Sequence, residues 1–176
     1  MTEYEIRTLR QDDFAALTAL ESEIFGAAGE SVLCPYYLRL VCDFYADSCF
    51  LALHRGEPVG YLLCFIKERQ AYCTTLGIRE DYQKKRVIIQ LIRAFVTRII
   101  DEVDVCWFTV DEDNGAARAL HRMLGAVEVC VRTDFYGPGQ ARIVSRIDRA
   151  RFDELRGKYQ RLGLLDPPAQ PAVDAA

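Results

Sequence analysis

The stretch that decides the fold runs from residue 71 to residue 100 and reads AYCTTLGIREDYQKKRVIIQLIRAFVTRII. Its first eight residues predict a strand, and from residue 87 the apolar side chains recur with the period of an amphipathic helix. A further apolar run at 103–110, VDVCWFTV, predicts a buried strand. Because strand, helix and strand follow one another, we expect one parallel crossover.

The flanking segments predict the rest of a mixed sheet. We expect, in order, strand 4–9, helix 10–26, a helix from Pro35, a hairpin over 49–68, strand 71–78, helix 87–100, strand 103–110, helix 111–125 and two strands over 127–148. Gly56 supplies the hairpin turn, and Gly125 stands where a left-handed helix terminus is expected. The fold class is therefore α/β of the α+β type: a mixed, mostly antiparallel central sheet flanked by helices, with one parallel β-α-β crossover.

Length and composition indicate one globular domain. The chain has 176 residues, of which 51% are hydrophobic, so a sizeable core can be buried. We assign residues 1–165 to this domain and predict a disordered tail at 166–176, DPPAQPAVDAA. The net charge of −4 is well mixed, which argues against nucleic-acid and membrane partners. No signal peptide or membrane-length apolar run is visible, so we expect a cytoplasmic protein.

The cysteines favour a reduced protein. There are seven of them, an odd number, and no pair has CxxC spacing. Most lie in apolar, strand-like runs, where cysteine serves as a small hydrophobe. We therefore expect no disulfide and no metal site. Cys73 is the best candidate for a reactive thiol, against the alternative of an ordinary core cysteine.

The turn between the predicted strand 71–78 and helix 87–100 carries a family resemblance. The strand ends at Leu76-Gly77-Ile78, a turn follows at 79–82, and Gln83 opens the loop before the helix. This order resembles the donor-binding motif of the GNAT acyltransferases, enzymes that move an acetyl group from acetyl-CoA to an amine. In that motif Arg or Gln is followed by x-x-Gly-x-Gly/Ala. Gln83 matches its first position, whereas Arg86 and Ile88 occupy the glycine positions.

A second motif of the same family is matched at residues 114–126, NGAARALHRMLGA. The family pattern is Asn-x-x-Ala-x-x-Leu-Tyr followed by a Gly-Phe-like end. Asn114 stands at its first position, His121 replaces the tyrosine, and Ala126 replaces the phenylalanine. The order of the elements agrees as well, so the resemblance covers residues 4–148.

The resemblance implies a site for acetyl-CoA at the start of helix 87–100. Helix N-termini present unpaired N–H groups and a positive partial charge, and both suit a pyrophosphate. Without the glycines phosphate approaches less closely, but three adjacent cations add charge-assisted bonds. The residues assigned to the donor are the backbone at Leu76 and Ile78 together with Gln83, Lys84, Lys85, Arg86, Val87, Ile88 and Asn114. The alternative is that QKKR is only the solvated start of a core helix.

His121 is the candidate catalytic residue. The tyrosine that the family has at this position is thought to protonate the departing CoA thiolate, and an imidazolium can do the same. The alternative is a surface histidine without a role. No general base is evident, because strand 71–78 has no carboxylate. Strand alternation predicts Tyr72, Thr74 and Leu76 on one side and Cys73 and Thr75 on the other.

The resemblance implies acetyl transfer to a primary amine of a small molecule or peptide by direct attack on the thioester. Glu30, Asp134 and Tyr136 are positional candidates for the substrate-binding site. Two alternatives remain open: a degenerate domain that binds acyl-CoA or a partner without turnover, and an acyltransferase that uses a carrier-protein thioester. A homodimer is also left open.

Overall fold

The structure is a computed structural model of the chain, and it describes residues 3–26, 32–83 and 86–167. The strands are β1 (Tyr4–Thr8), β2 (Phe50–His54), β3 (Glu57–Lys67), β4 (Gln70–Ile78), β5 (Val105–Val110), β6 (Val127–Arg132) and β7 (Arg142–Asp148). The helices are α1 (Phe14–Glu21), α2 (Pro35–Phe44), α3 (Val87–Ile99), α4 (Gly115–Met123) and α5 (Arg149–Arg161). A π-helical turn, Ser22–Gly26, continues α1.

The strands form one seven-stranded sheet in the order β1-β2-β3-β4-β5-β7-β6. Neighbouring strands of the described chain are antiparallel except for the pair β4 and β5, which is parallel and is connected through α3. The mixed, mostly antiparallel sheet with one parallel crossover is therefore confirmed. The domain limits 1–165 stay a prediction, since most of the predicted tail lies outside the described residues.

Two tight hairpins build the first half of the sheet. Arg55 and Gly56 have φ of 53° and 85°, so the predicted β2–β3 turn has a left-handed residue at both positions. The β3–β4 turn has the same form at Glu68 and Arg69, with φ of 49° and 61°. Sequence patterning did not predict this second turn, because neither residue is a glycine or an asparagine.

A bulge interrupts β4 and corrects the predicted alternation. Leu63 pairs with Thr75 and Cys64 pairs with Cys73, so no β3 residue lies opposite Thr74. Such an extra residue moves the following side chains to the other face. Thr74 and Thr75 therefore lie on one face, and Leu76 packs with Cys73 on the opposite face.

Helices cover the two faces unequally. On one face α3, α4 and α5 pack over a core that includes Leu62 and Cys64 of β3. On the other face α1 and α2 pack over Tyr61 and Leu63. The buried strand residues of this second core all belong to β2 and β3. The face of β4, β5 and β7 on the α1–α2 side is consequently left open.

No helix in the described ranges is both long and apolar enough to cross a membrane. All seven cysteines are free thiols. The arginines of α5 form ion pairs with neighbouring acids, for example Arg149 with Asp153 and Arg151 with Glu154. Mixed charges paired in this way are typical of a solvated helix face.

Candidate active site

A cavity of about 1240 Å³ lies on the open face of the sheet. Its floor is formed by side chains of β4, β5 and β7, and its walls by residues 32–37 on one side and by the segment between β6 and β7 on the other. Pockets of this size suit a small ligand. Its aromatic lining comprises Tyr37, Phe65, Tyr72, Trp107, Phe135 and Tyr136.

Two hydroxyl pairs cross the floor of this cavity. The Tyr37 hydroxyl donates to Thr74 Oγ1 at 3.0 Å, and the Tyr72 hydroxyl lies 2.6 Å from Thr109 Oγ1. Burial raises the pKa of Tyr37 to about 12 and also raises the pKa of Tyr72. Both phenols therefore stay protonated at neutral pH and can orient a polar group. No motif in the sequence marked Tyr37 or its pairing with Thr74.

The parallel strands β4 and β5 separate beside this cavity. They pair only where Gln70–Cys73 faces Val105–Phe108. Beyond Cys73, no strand of the described chain pairs with this edge of β4. Backbone groups of residues 74–78 are thus open on the β5 side, and this stretch contains Leu76 and Ile78, both expected to bind the donor through their backbone.

At its described ends, the loop before α3 has a backbone conformation that does not require glycine. Gln83 and Arg86 have φ of −60° and −62°, and α3 begins at Val87 without a side-chain cap. The Arg86 side chain is exposed, and Ile88 packs partly buried against the core under α3. Gln83 Nε2 donates to the Ile78 carbonyl at 3.4 Å, which ties the loop to the end of β4. Lys84 and Lys85 lie outside the described residues.

A hydrogen bond from β2 anchors the turn that precedes this loop. The Tyr82 hydroxyl lies 3.0 Å from Nδ1 of His54, and the rings of both residues contact Tyr4. No motif in the sequence assigns a role to His54, which stands beside a hairpin turn. The structure instead gives it a positioning contact with the loop, which no sequence spacing could reveal.

His121 lies on α4 with its ring 4.6 Å from the ring of Phe108. Its Nδ1 is buried and has no hydrogen-bond partner within the described chain. Burial lowers the pKa of His121 to about 4, so the imidazole is neutral at pH 7. The charged form that a proton donor would need is thus disfavoured. The catalytic role itself stays a prediction.

Two of the other predicted site residues, Asn114 and Asp134, have local structural roles. Asn114 caps α4, since its Oδ1 accepts the Ala117 N–H at 3.0 Å. Asp134 shapes the β6–β7 turn by accepting the Gly139 N–H at 2.9 Å. Tyr136 lines the cavity and is 62% exposed. Glu30 lies outside the described residues.

Cys73 does not have the properties of a reactive thiol. Its side chain packs against the core under α3, and burial raises its pKa to about 12. The thiol is therefore protonated at neutral pH, which agrees with the core interpretation. Cys34 and Cys130 are the exposed cysteines, and both line the cavity.

A buried carboxylate connects the cavity wall to the sheet. Glu21, at the end of α1, is 1% exposed and accepts hydrogen bonds from the Leu33 N–H at 2.8 Å and from the Tyr61 hydroxyl. The Tyr61 ring in turn lies against Gly77, where a Cβ would clash with it. The network links the wall residue Leu33 to the open edge of β4. The sequence assigned no role to Glu21.

The mixed sheet with its parallel crossover is the architecture that the resemblance to the acyltransferases implied. The family model described as "Acetyltransferase (GNAT) family" matches residues 10–126. This chain belongs to that family.

Individual relatives are more distant. L-2,4-diaminobutyric acid acetyltransferase of Marinococcus halophilus is 26% identical over 93 residues, which cover 51% of this chain and 54% of the relative. The chain thus spans about half the length of this relative.

Solved structures show the same fold. Diaminobutyrate acetyltransferase from Paenibacillus lautus, in complex with L-2,4-diaminobutyric acid and coenzyme A, superposes with a TM-score of 0.69 at 17% identity and covers 85% of this chain and 96% of that one. The ribosomal-protein-S18-alanine N-acetyltransferase of Escherichia coli gives 0.68 at 18% identity, with 82% and 93% covered.

Proposed function

We propose that the protein transfers the acetyl group of acetyl-CoA to a primary amine of a small molecule or peptide. The observation that carries this proposal is the separation of β4 from β5, which exposes backbone groups between the start of α3 and a large cavity. Relatives in the family act on both kinds of amine, as the diaminobutyrate and S18-alanine acetyltransferases show by their names.

The donor is proposed to lie across the open edge of β4. Its diphosphate would accept hydrogen bonds from the N–H groups that begin α3, within residues 83–88, where the exposed Arg86 adds charge. The backbone at Leu76 and Ile78 would hold the thioester arm and its carbonyl oxygen. The main catalytic contribution of the protein would be to stabilise the negative charge that develops on this oxygen.

The acceptor amine then attacks the thioester carbon directly. The new C–N bond forms as the C–S bond breaks, and the proton of the attacking nitrogen balances the charge of the departing sulfur. A thiol has a pKa near 8.5, so the sulfur leaves readily when a hydrogen bond supports it. The neutral His121 can give such a bond through Nε2–H, since its buried Nδ1 is the nitrogen without a partner.

The acceptor is proposed to occupy the cavity. Tyr136 lines its wall, Asp134 fixes the adjacent turn, and Glu30 precedes the opposite wall in the chain. The hydroxyl pairs on the floor would orient the amine. Proximity of the two reactants can supply most of the rate enhancement in such a reaction.

The donor site can be tested by calorimetric titration with acetyl-CoA at low salt. Arg86→Glu should weaken binding about tenfold or more, because it places a negative charge beside the diphosphate. Arg93→Glu is the matched control, since Arg93 is an exposed residue further along α3 that pairs with Asp166. Equal affinities of the two variants would refute the phosphate site.

Turnover is tested separately by release of free thiol with a panel of primary amines. His121→Ala should lower turnover more than it lowers donor affinity. Binding of acetyl-CoA without thiol release for any amine would favour the non-catalytic alternative, to which the replaced loop glycines point. If acetyl-CoA does not bind but free thiol is released from an acylated carrier protein, the carrier-protein thioester is favoured as the donor.

A further inference from the structure

The charges that line the cavity indicate the chemistry of the acceptor. Arg132 and Arg142 are its charged lining residues within the described chain, and no described Asp or Glu lines it. Arg142 already pairs with Asp111 and donates to the Ala141 carbonyl at 2.8 Å. Its charge is therefore largely offset.

The side chain of Arg132 differs from that of Arg142 because it makes no ion pair and no hydrogen bond with any described residue. Its guanidinium lies 4.9 Å from the ring of Phe135, which holds it at the cavity wall. A planar cation on an aromatic ring, with its N–H groups unused, is suited to bind a carboxylate.

The uncharged side chains that line the cavity also indicate which acceptor it prefers. Aromatic side chains from α2, β3, β4, β5 and the β6–β7 segment surround one space, and Trp107 and Tyr72 stand side by side on its floor. Rings arranged in this way bury a flat apolar group well. A short, strongly polar diamine would leave most of this surface unfilled.

We infer that the acceptor is a small primary amine whose skeleton also carries a flat apolar group and a carboxylate, and that Arg132 binds this carboxylate. The inference rests on the proposed function and narrows its substrate. It also separates this chain from its relatives: 2,4-diaminobutyrate has two ammonium groups and one carboxylate, so the arginine-lined cavity should disfavour it.

Four amines test the inference: 4-(2-aminoethyl)benzoate, 2-phenylethylamine, 5-aminopentanoate and L-2,4-diaminobutyrate. The first combines ring and carboxylate, the next two lack one of them, and the last is the acceptor of the relatives. We expect 4-(2-aminoethyl)benzoate to have a kcat/KM at least about tenfold above each of the others. A preference for diaminobutyrate or an absence of discrimination would overturn the inference.

Arg132→Gln should lower the kcat/KM for the benzoate about tenfold, and it should lower the kcat/KM for 2-phenylethylamine, which has no carboxylate, much less. Arg146→Gln is the matched control, because Arg146 is exposed on the same face above Trp107 but does not line the cavity. Equal effects of both variants on the benzoate would refute the role of Arg132.

Trp107 gives a readout that does not need turnover. It is the single tryptophan of the chain and it lines the cavity. Its fluorescence should therefore change when the benzoate binds, with about tenfold weaker binding in Arg132→Gln. Binding without thiol release would refute the proposed function alone, and thiol release with unselective binding would refute the inference alone.

Discussion

Lowering the pH from 8 to 5 is expected to destabilise the protein through His121. Burial lowers its pKa from 6.5 to about 4 in the folded protein. The unfolded chain therefore takes up a proton below about pH 6.5, whereas the folded chain does not do so until about pH 4. Protonation stabilises the unfolded state first, so the free energy of unfolding falls as the pH passes downwards through this window.

The magnitude follows from the size of the shift. Each unit of pKa corresponds to about 1.4 kcal/mol, so the full effect below pH 4 is about 3 kcal/mol. At pH 5 the unfolded histidine is almost fully protonated and the folded one is mostly neutral, which gives about 2 kcal/mol. This is a large part of the stability of a typical domain.

Urea unfolding of the wild type and of His121→Phe at pH 8 and pH 5 measures this effect. Phenylalanine keeps a ring against Phe108 but has no titrating group. The wild type should lose about 2 kcal/mol more than the variant between the two pH values, since other groups titrate equally in both proteins. Equal losses would show that His121 is not buried as a neutral imidazole, and its proposed role as a neutral hydrogen-bond donor to the leaving sulfur would be refuted as well.

Three further substitutions test the packing around the site. Gly125→Ala should lower the free energy of unfolding by about 2–4 kcal/mol, because Gly125 has φ of +85° and a Cβ there would clash with α5. Gly139→Ala is the control, also at positive φ but with no atom nearby, and it should lower this free energy less. Equal falls in Tm for the two variants would contradict this. Arg55→Asn should raise the free energy of unfolding in urea by up to about 1 kcal/mol, since asparagine tolerates the left-handed turn position. A loss of stability would refute this prediction. Tyr61→Phe should cost about 1–3 kcal/mol by removing the hydroxyl that donates to buried Glu21, and an unchanged unfolding midpoint would show that the bond contributes nothing.

The elements of the fold were largely predictable, because strongly periodic segments determine them. The stripe on α3 and the apolar run of β5 lie where patterning placed them, and Gly125 ends α4 with positive φ as expected. The turn at Glu68 and Arg69 was not predictable. Neither residue favours left-handed backbone, so the neighbouring strand pairs must impose this geometry, together with the ion pair of Arg69 with Asp104.

The candidate site was less predictable, since it depends on contacts between distant segments. The bulge at Thr74 reverses the expected alternation without any glycine or proline to signal it. The bond between Tyr37 and Thr74 joins residues 37 positions apart. His121 was identifiable from its motif position, but its neutral state depends on burial, which only the packed structure shows.

The short ladder between β4 and β5 also affects how the two halves of the sheet stay together. Four residue pairs between β4 and β5 join strands β1–β4 to strands β5–β7. The sheet therefore has its shortest ladder where the donor is proposed to bind. A molecule that is hydrogen-bonded to the free edge of β4 would continue the ladder in place of the β5 backbone. By mass action, the amides of residues 74–78 would then exchange with solvent more slowly as donor concentration rises, and the protein would resist unfolding most when its co-substrate is abundant.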